Sequence, residues 1–316
     1  MTDGYGRKID YMRISLTDNC NLRCSYCMPE GKISDIHYLT AETVLKCVES
    51  AVCLGITNFR LTGGEPLIYP DIEKLIAKMR NMSGVNFIGI TTNGVFLSEK
   101  ADVLKTAGTD SINVSLDTID SDEFRKITGH SCLRNVIDGI DAALDSRIKL
   151  KINTVLRSEV DVLKMIEFAN DKNIDIRFIE LMPVGIGEKN DIIPRKAVIE
   201  KLEEKYGKVC GVSKMHDENG PAEYYAFRKL GVRVGLIQAV HGKFCDRCNR
   251  IRITSDAGLK PCLADSRIID LKEALDIGKD ELTKIMRKAI YEKPKSHHFE
   301  DILCEKETKT MNMIGG

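Results

Sequence analysis

The sequence predicts an α/β chain built as an incomplete (βα)6 TIM-like barrel, followed by a C-terminal region that closes the barrel and carries a second cysteine set. Three observations support this. Between residues 10 and 182, strand-like apolar segments alternate with helix-like segments over short connections, the pattern of a parallel sheet covered by helices. The alternation runs for six units, too few for a full eight-stranded barrel. The chemically unusual segments Cys20–Cys27, Gly63–Pro66, Thr92–Gly94 and Ser115–Asp117 all fall at or just after strand ends, the rim on which barrel active sites assemble.

The first unit has a strand over Tyr11–Thr17, the cysteine loop, and a helix N-capped by Thr40 that runs through Val44, Leu45, Val48 and Val52 to Gly55. The second has a strand over Ile56–Thr62 and a helix over Asp71–Arg80; the third has a strand over Asn86–Thr92 and a helix ending near Gly108. A strand over Ser111–Asp117 precedes helices over Ser121–Ile127 and Leu133–Leu144. Lys149–Leu156 precedes a helix over Asp161–Lys172, and Ile174–Met182 ends the series. Beyond a turn-rich break at Pro183–Gly187 come a charged helix, Lys196–Tyr206, and two strands, Glu223–Phe227 and Val232–Gln238. The break divides the chain into a barrel over residues 1–182 and a C-terminal region over 183–316.

Lys and Arg together number 47, as do Asp and Glu, so no global charge favours nucleic acid or an anionic membrane, and a cationic site must be local. The first residues lack the apolar core of a secretory leader, and no apolar run approaches the length of a membrane span, so a soluble, cytoplasmic protein is expected. In a reducing compartment, eleven cysteines read as metal ligands or buried thiols rather than disulfides. Six fall into two sets, at 20, 24, 27 and at 245, 248, 262. Cys47 and Cys53 read as small apolar core residues of their helix.

The run Cys20-Asn-Leu-Arg-Cys24-Ser-Tyr-Cys27 places three soft thiolates on one loop. Three such ligands can hold three irons of a four-iron cluster and leave the fourth open to a small molecule. A zinc site would call for a fourth protein ligand, and nothing near the loop supplies one. Gly63-Gly64-Glu65-Pro66 exposes bare backbone, suited either to a simple turn or to clamping the amino group of methionine. Cys245-Asp-Arg-Cys248 with Cys262 is again a set of three: a second open cluster, or a zinc site completed by His241, His297 or His298. Arg250 and Arg252 alternate on a strand and so share one face, fitting a polyphosphate or, more blandly, solvent. Arg13, Arg60, Lys151 and Arg177 lie on four different barrel strands, where buried cations are costly unless paired or facing an anion.

Taken together, Arg13-Ile-Ser-Leu-Thr-Asp-Asn-Cys-Asn-Leu-Arg-Cys-Ser-Tyr-Cys-Met-Pro29, Arg60-Leu-Thr-Gly-Gly-Glu-Pro66, Thr91-Thr-Asn-Gly94, Val114-Ser-Leu-Asp-Thr118 and Arg177-Phe-Ile-Glu-Leu-Met182 resemble the radical S-adenosylmethionine (radical SAM) superfamily. With Phe244-Cys-Asp-Arg-Cys-Asn-Arg-Ile-Arg252, Lys260-Pro-Cys-Leu263 and Gly315-Gly316, the chain closely resembles, over nearly its whole length, the GTP 3′,8-cyclase family of molybdenum cofactor (molybdopterin) biosynthesis. The resemblance implies a radical SAM barrel with two [4Fe-4S] clusters, on Cys20, Cys24, Cys27 and on Cys245, Cys248, Cys262, and with S-adenosyl-L-methionine on the first. It implies that Tyr26, Gly64, Thr91, Ser115 and Met182 hold S-adenosylmethionine, and that Arg13, Arg60, Thr62, Lys151, Arg177, Arg250 and Arg252 hold GTP. Gly315 and Gly316 match a tail that enters the active site.

The implied reaction is a lyase step in which a 5′-deoxyadenosyl radical takes hydrogen from C3′ of GTP. The C3′ radical then attacks C8 to give 3′,8-cyclo-7,8-dihydro-GTP. Implied partners are a reductant such as flavodoxin or ferredoxin and a downstream cyclic pyranopterin monophosphate synthase; a homodimer is left open. Three departures from the family pattern are Asn58 for a lysine, Tyr69 for an arginine, and a short turn at Arg157–Val160. The competing reading is a radical SAM enzyme that modifies a peptide and uses the second set as an auxiliary cluster.

Overall fold

The computed structural model describes residues 1–28, 36–184, 193–214, 220–297, 299 and 310–315. The barrel strands and helices follow in order as β1 (Tyr11–Ser15), α1 (Ala41–Cys53), β2 (Asn58–Thr62), α2 (Ile72–Arg80), β3 (Phe87–Thr92), α3 (Leu97–Ala107), β4 (Ser111–Ser115), α4 (Ser121–Thr128), α5 (Leu133–Asp145), β5 (Lys149–Leu156), α6 (Val162–Asp171) and β6 (Asp175–Glu180). Beyond them lie α7 (Arg195–Tyr206), β7 (Val209–Lys214), β8 (Glu223–Phe227), β9 (Val234–Ile237), β10 (Arg250–Ile253), β11 (Gly258–Lys260), β12 (Ile269–Asp270), α8 (Lys272–Ile277), α9 (Lys279–Tyr291) and α10 (Met311–Ile314).

The helices start and stop for local reasons. The Thr40 hydroxyl accepts the Thr43 N–H at the head of α1, and Asp120 accepts from Asp122 and Glu123 at the head of α4. On α1 the buried residues Val44, Cys47, Val48 and Ala51 form one stripe at helical spacing. Cys53, expected in the core, is exposed. It lies two residues past Ala51, and two residues of helix turn it to the opposite side of that stripe. In β2 every residue is buried, as in a parallel strand covered on both faces.

The expected six-stranded parallel series β1–β6 is present, and the C-terminal region enlarges it. β10 pairs in parallel with β1, and β9 pairs in parallel with β6. Eight parallel strands therefore run in the order β10-β1-β2-β3-β4-β5-β6-β9, with antiparallel β11 and β12 beyond one edge and β8 and β7 beyond the other. The sheet remains open, as expected, and its two edges face a common cavity lined by Ile237 and Ala239 on one side and Arg250 and Arg252 on the other. The helix α9 packs against α1 and buries Leu282, Met286, Ala289 and Ile290. Among the described residues, no helix is long and apolar enough to cross a membrane.

Candidate active site

A cavity of about 320 Å³ opens inside the sheet, and both cysteine sets line it. None of these six cysteines is in a disulfide.

The first set hangs between β1 and α1. The loop is clamped from below by Gly63 and Gly64, whose backbone lies directly against residues 17–19: the Gly64 N–H donates to the Thr17 carbonyl (2.6 Å) and the Glu65 N–H to that of Asn19 (2.8 Å). A side chain at Gly64 would collide with the Asn19 and Asp18 carbonyl oxygens, so the paired glycines are needed here for close approach. Glu65 is fully buried and ties this loop to the next, its carboxylate accepting from Leu67 N–H (2.8 Å), the Thr92 hydroxyl (2.6 Å) and Asn93 N–H (2.7 Å). Burial pushes the Glu65 carboxyl up to about 7 against those hydrogen bonds. The Tyr26 hydroxyl donates to Asp117 (2.7 Å) at the end of β4, and the Arg157 guanidinium lies over the Tyr26 ring, 5.6 Å from its centroid. The short turn at Arg157 thus packs on the cysteine loop. Burial pushes Cys20 up to about 11, with Glu65 adding to it, and Cys27 up to about 12, with Cys20 adding to it.

In the second set, burial raises the Cys245 thiol as it does those of the first set, and Cys248 departs from this. Burial pushes the Cys248 thiol up, but Arg250 and Lys293 beside it outweigh burial and hold it at about 6. His241, whose Nδ1 is bonded to the Glu180 carboxylate that also accepts the Val240 N–H (2.7 Å), is not among the residues that line the cavity with the three cysteines. Among the described residues, no three His, Cys, Asp or Glu side chains are arranged to hold a single metal ion, whereas a cluster of several irons needs a wider set. His298 lies outside the described residues.

Between the two sets the wall is cationic. The register places Arg13 beside both Arg60 and Arg252. Arg250 and Arg252 both line the cavity while Ile251 and Ile253 enter the core. Arg60 is pinned by the Tyr11 hydroxyl (2.7 Å), the Ile90 carbonyl (2.7 Å) and the Ser111 hydroxyl (3.2 Å). Burial and neighbouring arginines lower the pKa of Arg13 well below its ordinary value and that of Arg252 to about 10. Burial and Arg177 lower Lys151 to about 7. Arg177 is 8% exposed, and its Nε and Nη2 have no hydrogen-bond partner among the described residues. Such crowding of cations with idle donors is the environment an anion would relieve.

Of the residues predicted to hold S-adenosylmethionine, Tyr26, Gly64, Thr91, Ser115 and Met182 all line the cavity, and the buried Thr91 hydroxyl has no partner among the described residues. Arg13, Arg60, Arg177, Arg250 and Arg252 line it too. Thr62 and Lys151 are not among the residues that line it: Thr62 packs against Gly315, and the Lys151 ammonium lies over the Tyr224 ring, 5.3 Å from its centroid. The Gly315 carbonyl accepts from Arg252 (2.6 Å), and Met311 and Asn312 line the cavity; Gly316 is outside the described residues. Asn58 and Tyr69 sit away from the cavity, bonded to the carbonyls of Asp10 (3.1 Å) and Leu39 (2.7 Å). Sequence reasoning placed Asp117 on the rim without giving it a role, and missed Glu180, Arg7 and Lys293. Only Asp117 carried a local signal, its place at a strand end.

The barrel with a three-cysteine loop on its rim matches the family model described as the Radical SAM superfamily over residues 14–171, and the chain belongs to that superfamily. Membership implies a [4Fe-4S] cluster and S-adenosylmethionine. Residues 174–299 match a second model, Molybdenum Cofactor Synthesis C. Over the full length of both chains, the protein is 39% identical to the GTP 3′,8-cyclase of Clostridium perfringens (strain 13 / Type A) and 40% identical to that of Clostridium acetobutylicum. It is 38% identical to that of Thermodesulfovibrio yellowstonii. At this identity and coverage the chain belongs to the GTP 3′,8-cyclase family of radical SAM enzymes. Among solved structures, anSMEcpe with bound AdoMet superposes with a TM-score of 0.62 at 17% identity, over 92% of this chain and 82% of that one. Streptococcus suis SuiB bound to S-adenosylmethionine does so with a TM-score of 0.61 at 16% identity, over 89% and 68%. At such identities these two share the fold alone.

Proposed function

We propose that this protein is a radical SAM lyase that converts GTP to 3′,8-cyclo-7,8-dihydro-GTP in molybdenum cofactor biosynthesis. The observation that carries the reading is the single cavity with a cysteine set on either side and a cationic wall between. The residues fit the groups the family implies. Each set offers three thiols not paired in disulfides, and the Thr91 hydroxyl and the Nε and Nη2 donors of Arg177, which have no partner among the described residues, are buried polar atoms that a ligand would satisfy. Cys20, Cys24 and Cys27 would hold the first cluster, with Tyr26, Gly64, Thr91, Ser115 and Met182 around S-adenosylmethionine; Cys245, Cys248 and Cys262 would hold a second.

Bound there, cluster and S-adenosylmethionine supply one-electron reduction and a radical able to take hydrogen from carbon. The chain's own part is to bind and orient. Arg13, Arg60, Arg177, Arg250 and Arg252, with Lys151, would take the triphosphate, and the guanine would lie toward Cys245, Cys248 and Cys262. The Asp117 carboxylate fixes the Tyr26 ring through its hydroxyl. The glycine-lined seat of Gly64 keeps the first cysteine loop against the substrate side. Enclosure by both sheet edges excludes water and oxygen from the reacting centre. Residues 1–182 then form the radical-generating part and 183–316 the substrate-selecting part. A flavodoxin- or ferredoxin-like reductant, a downstream cyclic pyranopterin monophosphate synthase and a cytoplasmic location complete the proposal.

Anaerobic reconstitution tests it. Two four-iron clusters correspond to about eight irons per chain, and 5′-deoxyadenosine release should depend on GTP. Release indifferent to GTP would favour the peptide-modifying reading.

A further inference from the structure

One buried charge on the cavity wall has no part in that scheme. Lys293 is 1% exposed and lines the cavity beside Cys245, Cys248 and Cys262. Its hydrogen bond goes to the carbonyl of Pro261, the residue before Cys262, and no carboxylate pairs with it among the described residues. A buried ammonium satisfied only by a neutral carbonyl is costly unless an anion lies close. The anionic groups at hand are the thiolates that Cys245, Cys248 and Cys262 would present to a cluster on the same cavity wall.

The segment that carries Lys293 touches the rest of the set as well. The His297 N–H donates to the Cys245 sulfur. Arg7, 8% exposed, donates through Nη1 to the carbonyls of Cys245 (2.9 Å) and Lys295 (2.8 Å), and through Nη2 to that of Pro294 (2.7 Å). Arg7 is itself fixed by Asp3 through Nε (2.6 Å) and its own N–H (2.9 Å). The N-terminal strap thus joins the Cys245 loop to the segment bearing Lys293 at one buried point.

We propose that Lys293 is the counter-charge of the second cysteine set and that the Asp3–Arg7 pair is its positioning brace, together holding the second cluster and making it easier to reduce. This rests on the two-cluster reading given above. A positive charge at a cluster's ligands favours the more negative, reduced state, and charges and hydrogen bonds around the sulfurs are established levers on both metal retention and potential.

The test uses the full chain, reconstituted anaerobically, with iron analysis and an EPR-monitored redox titration that resolves the two clusters. In Lys293→Met the midpoint potential of the second cluster should shift to more negative values while that of the first stays fixed. Arg7→Ala leaves the charge but frees the Cys245 loop, and should lower iron from about eight toward about four per chain, with the first cluster's EPR change on adding S-adenosylmethionine retained. Should Lys293→Met lose the second cluster, Lys293→Arg should restore it; failure of that rescue would assign Lys293 a packing role and overturn the proposal. An unshifted second cluster in Lys293→Met, or an equal shift of both, would also overturn it. Wild-type protein that holds only about four irons would instead sink the two-cluster reading itself.

Discussion

Lys151 gives the cationic wall a measurable pH signature. Burial, then Arg177, Arg233 and Arg60, lower its ammonium to about 7 in the ligand-free protein, with Asp175 opposing. A bound polyphosphate reverses the balance by stabilising the charged form, so binding above pH 7 should take up a proton at Lys151 and affinity should fall as pH rises. With a free-state value near 7, the protonated fraction drops from about one half at pH 7 to about one eleventh at pH 8, weakening GTP binding about fivefold, and by about another tenfold at pH 9. The assay is anaerobic calorimetry of GTP binding to the reconstituted protein in buffers of different ionisation enthalpy, which counts protons directly. The γ-phosphate titrates in the same region, so the decisive quantity is the difference between wild type and Lys151→Met, in which the substrate's own titration cancels. Lys151→Arg should bind with a pH dependence like that of Lys151→Met, since its charge does not titrate here. Equal pH slopes in wild type and Lys151→Met would refute the reasoning. In the unligated protein the same depression means that stability rises with pH between about 7 and the ordinary lysine value, because there the unfolded chain binds more protons.

Three further outcomes follow from the packing. A Cβ on Gly235 would sit 2.7 Å from Arg177 Cγ and 3.0 Å from the Tyr224 ring, so Gly235→Ala should displace the guanidinium and raise the KM for GTP about tenfold, about 1.4 kcal/mol; steady-state kinetics and unchanged iron content check it. Arg250→Ala should raise the GTP requirement while iron analysis still finds both clusters; loss of iron would make its role structural. Thr40→Ala removes the cap of α1 and should lower stability by about 1 kcal/mol in chemical denaturation.

Much of the barrel was legible because each element carries its own signal. The Thr40 cap, the apolar stripe of α1 and the fully apolar-spaced β strands are local patterns, and β5 and β8 fall where the sequence places them. What was not legible depends on pairing across long separations. Nothing in Val234–Ile237 or Arg250–Ile253 announces that one extends the sheet at β6 and the other at β1, because register is set by tertiary contact. The helix α9 did carry a readable period in Leu282, Met286, Ala289 and Ile290, and was overlooked. At the site, cysteines and strand-borne arginines stand out by type and spacing. Arg7 and Lys293 do not, since what ties them to the second cysteine set is hydrogen bonds to backbone carbonyls, and a carbonyl leaves no trace in sequence. Cys53 shows the converse error: residue type suggested a core position that the helical period denies.

The most direct test of the proposed reaction follows one hydrogen atom. With GTP deuterated at C3′ and the reconstituted, reduced protein, mass spectrometry of the 5′-deoxyadenosine released should find one deuterium transferred from substrate to product. Unlabelled 5′-deoxyadenosine formed at the same rate, with GTP recovered intact, would contradict a radical aimed at the ribose between the two cysteine sets.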